Sequence, residues 1–170
     1  SILFNNNRFI SKFLEFTVYT VRTAPRDSRH GAINDLIRRS LLSAEVPCIG
    51  KPPGVSRDDG KRPDGLTLVP WKMGRCMIWD ATVRDTLALS YLNMSAASAG
   101  SAANEAGRRK TSKYRSLQSR FVFIPLGFET FGSWGSEAKE LIQCIGRKLM
   151  DKTGEARASE FLGQRLSIEI

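Results

Sequence analysis

Two short apolar runs, separated by a glycine-containing segment, organise the middle of the chain. The runs span residues 66–69 and 76–79 and are rich in strand formers, and the segment between them contains Pro70 and Gly74. Two such runs joined by a few residues that include a glycine are typical of a β-hairpin. We therefore predict a hairpin in which the chain reverses direction near Met73.

A helix and a short strand are predicted before the hairpin. Asp27 or Ser28 is a good N-cap, and apolar residues recur after it at helical spacing. These apolar residues are Ile33, Leu36, Ile37, Leu41 and Ala44. Residues 46–50 favour a short strand, which the prolines and glycine of residues 51–54 end. A charged loop, residues 56–61, leads into the hairpin.

After the hairpin, residues 84–93 are predicted to be a connection and residues 96–117 an alanine-rich helix. One side of this helix is expected to be buried, through Ala99, Ala102, Ala103, Ala106, Tyr114 and Leu117. The other side is basic, and a solvated charged surface is the simplest interpretation of it. Lys110 and Lys113 are three residues apart and therefore share a side of the helix.

The last third of the chain predicts one strand and two helices. Residues 121–126 are continuously apolar, which indicates a strand buried on both sides, inside a sheet and beside the hairpin. A loop is predicted for residues 128–135, and Ser136 is expected to cap a helix that ends at Gly154. A final helix is predicted for residues 155–166, with Phe161, Leu162 and Leu166 as its apolar residues. This order of elements predicts an α/β fold, a mixed sheet with helices on its faces.

Length and charge narrow the class of protein. A chain of 170 residues is long enough for a single domain with a real core, which we place at residues 26–170. Residues 1–25 show no clean periodicity and are treated as a poorly defined segment. The 26 Lys and Arg residues against 17 Asp and Glu give a net charge of +9, which favours a polyanionic partner, nucleic acid before membrane. The candidate phosphate contacts are Arg57, Arg62, Lys72, Arg75, Arg108, Arg109 and Arg115.

Cysteine and histidine content limits the chemistry that the chain can carry. The three cysteines form no CxxC pair, which fits a reducing compartment, and we expect an intracellular protein. With His30 as the single histidine, a zinc site would need carboxylates to replace the missing Cys and His ligands. An exposed position in the first helical turn is the favoured interpretation of His30, ahead of a role in a site. The sequence has no run of 18 or more apolar residues, so no transmembrane helix is predicted.

The hairpin brings two aspartates together. If it reverses near Met73, Asp64 lies opposite Thr82 and diagonal to Asp80, and the three side chains share one face of the sheet. Diagonal Cβ atoms are about 7–8 Å apart, a gap that two carboxylates can close on one divalent cation. Two such carboxylates with Mg²⁺ and a lysine can hydrolyse phosphodiesters. Aspartates near strand ends are also common turn residues, but Asp80 lies inside an apolar strand, where an unpaired carboxylate is costly.

A resemblance to a known family adds to this interpretation. Pro63-Asp64 followed after fifteen residues by Asp80 resembles the PD-(D/E)xK motif of restriction-endonuclease-like nucleases. More narrowly, residues 28–170 resemble the endonuclease domain at the C-terminal end of non-LTR retrotransposon reverse-transcriptase polyproteins. The features that carry this resemblance are Arg29-His30, Arg62-Pro63-Asp64, Trp79-Asp80-Ala81-Thr82-Val83, Lys113-Tyr114, residues 121–126, residues 129–132 and residues 163–167.

The resemblance implies an α-β-β-β-α-β nuclease core in which Asp64 and Asp80 hold Mg²⁺ or Mn²⁺. Thr82 occupies the position where the general motif has lysine. In the retrotransposon type the lysine comes from the following helix, so Lys113 is the first candidate and Lys110 the second. Such an enzyme would nick one strand of target DNA to prime reverse transcription, with its polymerase domain lying outside this chain. The alternatives are a catalytically inactive, basic nucleic-acid-binding remnant on the same fold, and a structural or interaction domain.

Overall fold

The computed structural model describes residues 26–86 and 98–170. The segment of residues 1–25 lies outside the described residues, and so do most of the predicted connection and the start of the helix predicted from residue 96. No helix of the described ranges is both long and apolar enough to span a bilayer.

Within these described ranges, four helices and four strands follow the predicted order. In chain order they are α1 (Arg26–Ser43), β1 (Cys48–Gly50), β2 (Gly65–Lys72), β3 (Arg75–Arg84), α2 (Ser101–Lys113), β4 (Val122–Glu129), α3 (Ser136–Thr153) and α4 (Ala158–Glu169), with a 3₁₀ turn at Arg115–Leu117. The strands form one sheet in the order β1-β2-β3-β4. The pairs β1–β2 and β2–β3 are antiparallel and β3–β4 is parallel, so the fold is α/β with a mixed sheet.

The hairpin of β2 and β3 closes where the sequence predicts, but its register differs near the aspartates. Met73 and Gly74 connect the strands with φ angles of 52° and 71°, as a two-residue hairpin turn requires. Leu66 pairs with Ile78, which displaces β3 by two residues from the predicted register at this end. A shift of two residues preserves the face on which each side chain lies. Asp64 therefore faces Asp80 rather than Thr82.

A threonine side chain explains the register shift. The Oγ1 atom of Thr67 accepts the backbone N–H of Met77 at 2.9 Å and donates to the carbonyl of Val69 at 2.9 Å. A side chain thus replaces a backbone partner in the ladder between Leu66 and Pro70, where the register is irregular. Pro70 has no N–H to restore the regular pattern.

Helices cover both faces of the sheet. Met77, Trp79 and Ala81 of β3 are buried in a core with α1, α3 and α4. The alternate residue Ile78 is buried on the other face with Tyr114, beside α2. Because strand residues alternate in direction, Asp80 lies on the same face as Ile78 and therefore faces α2.

Three predictions about the last third of the chain are corrected. The strand predicted inside the sheet is β4, which lies at an edge of the described sheet, where Pro125 costs little because one row of its backbone groups needs no strand partner. Phe128 belongs to β4, not to the predicted loop. Gly135, not Ser136, is the N-cap of α3. Phe161 lies on the last helix as predicted, and its side chain is exposed. Of the predicted apolar residues of the first helix, Ile33, Ile37 and Leu41 are buried in the core, and Leu36 and Ala44 are partly buried against it. Ala99 is exposed before α2 begins.

Candidate metal and nucleic-acid site

A tryptophan holds helix α1 against the hairpin at the aspartates. The ring of Trp79 lies over Gly65, where a Cβ atom would be 2.0 Å from the ring. Its Nε1–H donates to Oδ1 of Asn34 at 3.1 Å. Only glycine at position 65 leaves room for this ring. The contact brings the first turns of α1 beside Asp64.

Asp64 is a largely buried carboxylate that accepts hydrogen bonds from its own chain. Its Oδ2 atom accepts the backbone N–H of Ala81 at 2.8 Å and lies 2.9 Å from Nε2 of His30. Burial raises the pKa of Asp64, but the hydrogen bonds from His30 and Ala81 outweigh it, so the net pKa is lowered. The carboxylate is therefore ionised at neutral pH.

His30 is part of the site, and its interpretation as an exposed first-turn residue is wrong. Its Nε2 atom lies near Oδ2 of Asp64 and also 3.2 Å from the carbonyl of Ala81. Both are acceptors, so Nε2 carries a proton in this arrangement. The hydrogen bond to Asp64 raises the pKa of His30, while desolvation opposes the rise. Asn34 lies one turn further along α1 and contacts the same ring.

Asp80 lies between a lysine and a tyrosine that come from the end of α2. Nζ of Lys110 is 2.6 Å from Oδ1 of Asp80, and the hydroxyl of Tyr114 is 2.5 Å from Oδ2. The sequence offered Lys113 before Lys110, but Lys110 makes this contact and Lys113 is exposed. Burial and the neighbouring Asp80 carboxylate raise the pKa of the Tyr114 hydroxyl, which therefore stays protonated and donates. Tyr114 was predicted to be buried, but its contact with Asp80 was not predicted.

The side chains of one histidine and two aspartates form a possible metal site. One ligand atom from each of His30, Asp64 and Asp80 lies within 4.8 Å of the others. The two carboxylates suit a hard divalent cation such as Mg²⁺ or Mn²⁺, while an imidazole is a ligand typical of transition metals. In the structure the cationic side chains of Lys110 and, when protonated, His30 neutralise these carboxylates. His30 would have to lose its Nε2 proton to become a ligand.

A cavity of about 380 Å³ opens over this cluster and is strongly basic. Its basic residues are Lys51, Arg57, Lys61, Arg62, Lys110 and Lys113. Lys51 and Lys61 were missed because the loop of residues 51–63 returns over the site only in the fold. The backbone N–H of Lys51 donates to the carbonyl of Asp64 at 2.9 Å, which closes this loop.

Only two of the seven predicted phosphate contacts line this cavity, namely Arg57 and Arg62. Arg108 and Arg109 pair with Glu105 of their own helix. Arg75 donates to the carbonyl of Gln118 at 2.8 Å, and Arg115 is exposed after α2. Lys72 lines a different cavity, beside Trp71 and α3.

Comparison of the sequence with models of known protein families gives no match. A search of curated proteins likewise finds no relative.

The ion pair of His30 and Asp64 predicts a pH dependence of folding stability. The pKa of His30 is raised above its usual 6.5, so its stabilisation is complete below that value and is lost as pH rises through the folded pKa. The pKa of Asp64 is lowered from 3.8, so its stabilisation is lost only as pH falls toward acid. Urea unfolding from about pH 5 to about pH 8 should show stability falling with pH in the wild type. His30→Gln should remove this fall; an equal fall in both proteins would contradict the assignment.

Proposed function

We propose that this chain is a metal-dependent DNA endonuclease of the restriction-endonuclease-like, PD-(D/E)xK type, related to the nuclease domain of non-LTR retrotransposon polyproteins. The observation that carries the proposal is the convergence of His30, Asp64, Asp80 and Lys110 in one basic cavity. The element order of residues 26–129, which is α-β-β-β-α-β, supports the same assignment. The enzyme would nick one strand of nuclear DNA and supply the 3′-hydroxyl that primes reverse transcription.

The carboxylates of Asp64 and Asp80 fit a hard cation, and His30 would add a nitrogen ligand. A divalent cation there would supply positive charge to the phosphate and acidify the attacking water. Lys110 would add a second positive charge beside the phosphate, because its ammonium already reaches Oδ1 of Asp80. The loop cations Lys51, Lys61 and Arg62 would contact neighbouring phosphates, which gives affinity without sequence preference.

The test is nicking of supercoiled plasmid DNA. Wild-type protein with Mg²⁺ or Mn²⁺ is expected to produce open circles, and EDTA is expected to stop the reaction. Asp64→Asn keeps the size of the side chain and removes one charged ligand, so cleavage should fall by about 10²-fold or more. Circular dichroism of both proteins would check the fold. Metal-independent cleavage, or equal cleavage by Asp64→Asn, would remove the proposal.

Arg57 is the arginine that we expect to matter most for DNA binding. Its side chain is only 10% exposed, and its guanidinium pairs with Asp59 at 2.6 Å and lies 5.1 Å from the centre of the Tyr114 ring. Its Nε has no hydrogen-bond partner among the described residues. A guanidinium held in place in the wall of the cavity loses little entropy on binding a phosphate.

Arg57→Gln should therefore weaken DNA binding by about tenfold near physiological salt and lower the salt slope by about one phosphate. Arg115→Gln, on the exposed surface after α2, is the matched control, and its effect should be smaller. Fluorescence anisotropy with labelled duplex at several salt concentrations measures both. A larger loss in Arg115→Gln would show that DNA follows another surface.

A second candidate function is DNA binding without catalysis. The internal pairing of both carboxylates favours it, since His30 and Lys110 neutralise Asp64 and Asp80 without the help of a metal. It predicts salt-sensitive DNA binding that is indifferent to Mg²⁺, together with no nicking by any variant.

A further inference from the structure

Tyr114 and Lys110 hold the two oxygens of Asp80 in different ways. Lys110 has a flexible side chain that is 24% exposed, and it can leave Oδ1 for solvent. Tyr114 is 0% exposed, and its ring is stacked on Phe123 with centroids 4.4 Å apart and planes 19° apart. The guanidinium of Arg57 covers the ring as well. Tyr114 therefore cannot leave Oδ2 without disturbing the core on this face of the sheet.

The single proton of the Tyr114 hydroxyl belongs to the contact with Asp80. Two acceptors lie within reach, Oδ2 of Asp80 at 2.5 Å and the carbonyl of Arg62 at 3.2 Å. A hydroxyl donates once, and a bond to a carboxylate is shorter and stronger than one to a neutral carbonyl. The geometry thus assigns the proton to Oδ2.

We propose that Tyr114 is a positioning residue that occupies Oδ2 of Asp80, leaves Oδ1 as the oxygen for a divalent cation, and thereby favours Mg²⁺ or Mn²⁺ over Ca²⁺. The inference rests on the proposed metal site. Ca²⁺ takes six to eight oxygen ligands and often both oxygens of one carboxylate, whereas Mg²⁺ requires a compact octahedral set with few protein ligands. A carboxylate with one oxygen held by Tyr114 has only its other oxygen free for a metal. It therefore suits the ligand set of Mg²⁺ better than that of Ca²⁺.

Tyr114→Phe tests this inference because it keeps the stacked ring and removes only the hydroxyl. The intact chain would be titrated with Mn²⁺, followed by the electron paramagnetic resonance of free Mn²⁺, and with Ca²⁺ in competition. Wild-type protein should bind Mn²⁺ more tightly than Ca²⁺. In Tyr114→Phe the Kd for Mn²⁺ should rise about tenfold, while the Kd for Ca²⁺ should stay level or fall, so that the preference for Mn²⁺ shrinks.

Lys110→Met is the matched control, since it removes the partner of the other Asp80 oxygen. Because the competing ammonium is gone, the Kd for Mn²⁺ and the Kd for Ca²⁺ should both fall by the same factor, and their ratio should stay unchanged. Phe123→Leu, which loosens the stacked ring but keeps the hydroxyl, should shrink the preference partially and supplies the test if Tyr114→Phe does not fold. If Tyr114→Phe instead weakened the binding of Mn²⁺ and Ca²⁺ equally and lowered the Tm, Tyr114 would be a purely structural residue, and the inference would be overturned.

The outcomes separate this inference from the proposed function. If wild-type protein binds Mn²⁺ and nicks DNA but Tyr114→Phe has an unchanged metal preference, only the assignment of Tyr114 fails. If wild-type protein binds neither Mn²⁺ nor Ca²⁺, the metal site itself fails, and both proposals fail with it.

Discussion

Lys110→Met is expected to lower metal-dependent nicking by about 10²–10³-fold, the cost of removing one positive donor from a reacting centre. Its ammonium is 2.6 Å from Asp80, and the side chain is mostly shielded from water. Methionine keeps the length and the apolar stem of lysine, so the variant removes the charge with little change in packing. Initial rates of plasmid nicking at saturating protein would measure the effect.

Lys113→Met is the paired control, because Lys113 lines the same cavity but is exposed at the end of α2. It should reduce nicking less than about tenfold and mainly lower the salt dependence of DNA binding, as the loss of one phosphate contact does. If Lys113→Met instead lost activity while Lys110→Met kept it, the first choice made from the sequence would be restored. In that case the contact between Lys110 and Asp80 would serve only to neutralise a buried charge.

The order of the two lysines could have been inferred from helical spacing. Ala106, Lys110 and Tyr114 are four residues apart and form one stripe along α2. Ala106 and Tyr114 were both predicted to be buried, and both are. A lysine between two buried residues must direct its stem toward the sheet, whereas Lys113 is offset from that stripe. The family resemblance pointed to Lys113 and outweighed this local signal.

The hairpin was predictable because its signals are local. Strand-forming runs on either side of Met73-Gly74 specify a turn, and the turn specifies the pairing closest to it. The pairing further away, at Asp64, depends on Thr67, whose hydroxyl accepts a backbone N–H from the partner strand. Nothing in the alternation of apolar residues reports that contact. The aspartates nevertheless come together, because the shift of two residues preserves the face.

The residues that sequence reasoning missed reach the site through long-range packing. His30 contacts Asp64 because α1 packs on the sheet through its core residues and is joined to the hairpin by the pair of Asn34 and Trp79. Lys51 and Lys61 reach the cavity because their loop folds back along Asp64. One close contact of the site could have been predicted from Gly65, since a glycine directly after the aspartate indicates close approach of another group. The ring of Trp79 is that group.

Asp80→Asn should abolish detectable nicking, a loss of about 10³-fold or more, because the site would lose one of its two charged ligands and several kcal/mol of charge stabilisation with it. The same change should tighten metal-free DNA binding, since it removes a negative charge from a cavity lined by six basic residues. Opposite effects on cleavage and binding are specific to a carboxylate at a reacting phosphate. Misfolding of the variant would lower both together.

The paired measurement also decides between the two candidate functions. A nuclease requires wild-type nicking with Mg²⁺, its loss in Asp80→Asn, and binding of intact duplex that is at least as tight in the variant. A DNA-binding remnant requires no nicking by either protein and binding that Mg²⁺ does not alter. The amide introduced by Asp80→Asn can still accept from Tyr114, so the buried hydroxyl keeps a partner and the variant should fold. Asp80 lies between Lys110 and Tyr114 in either case; only the nuclease needs its charge for more than pairing with Lys110.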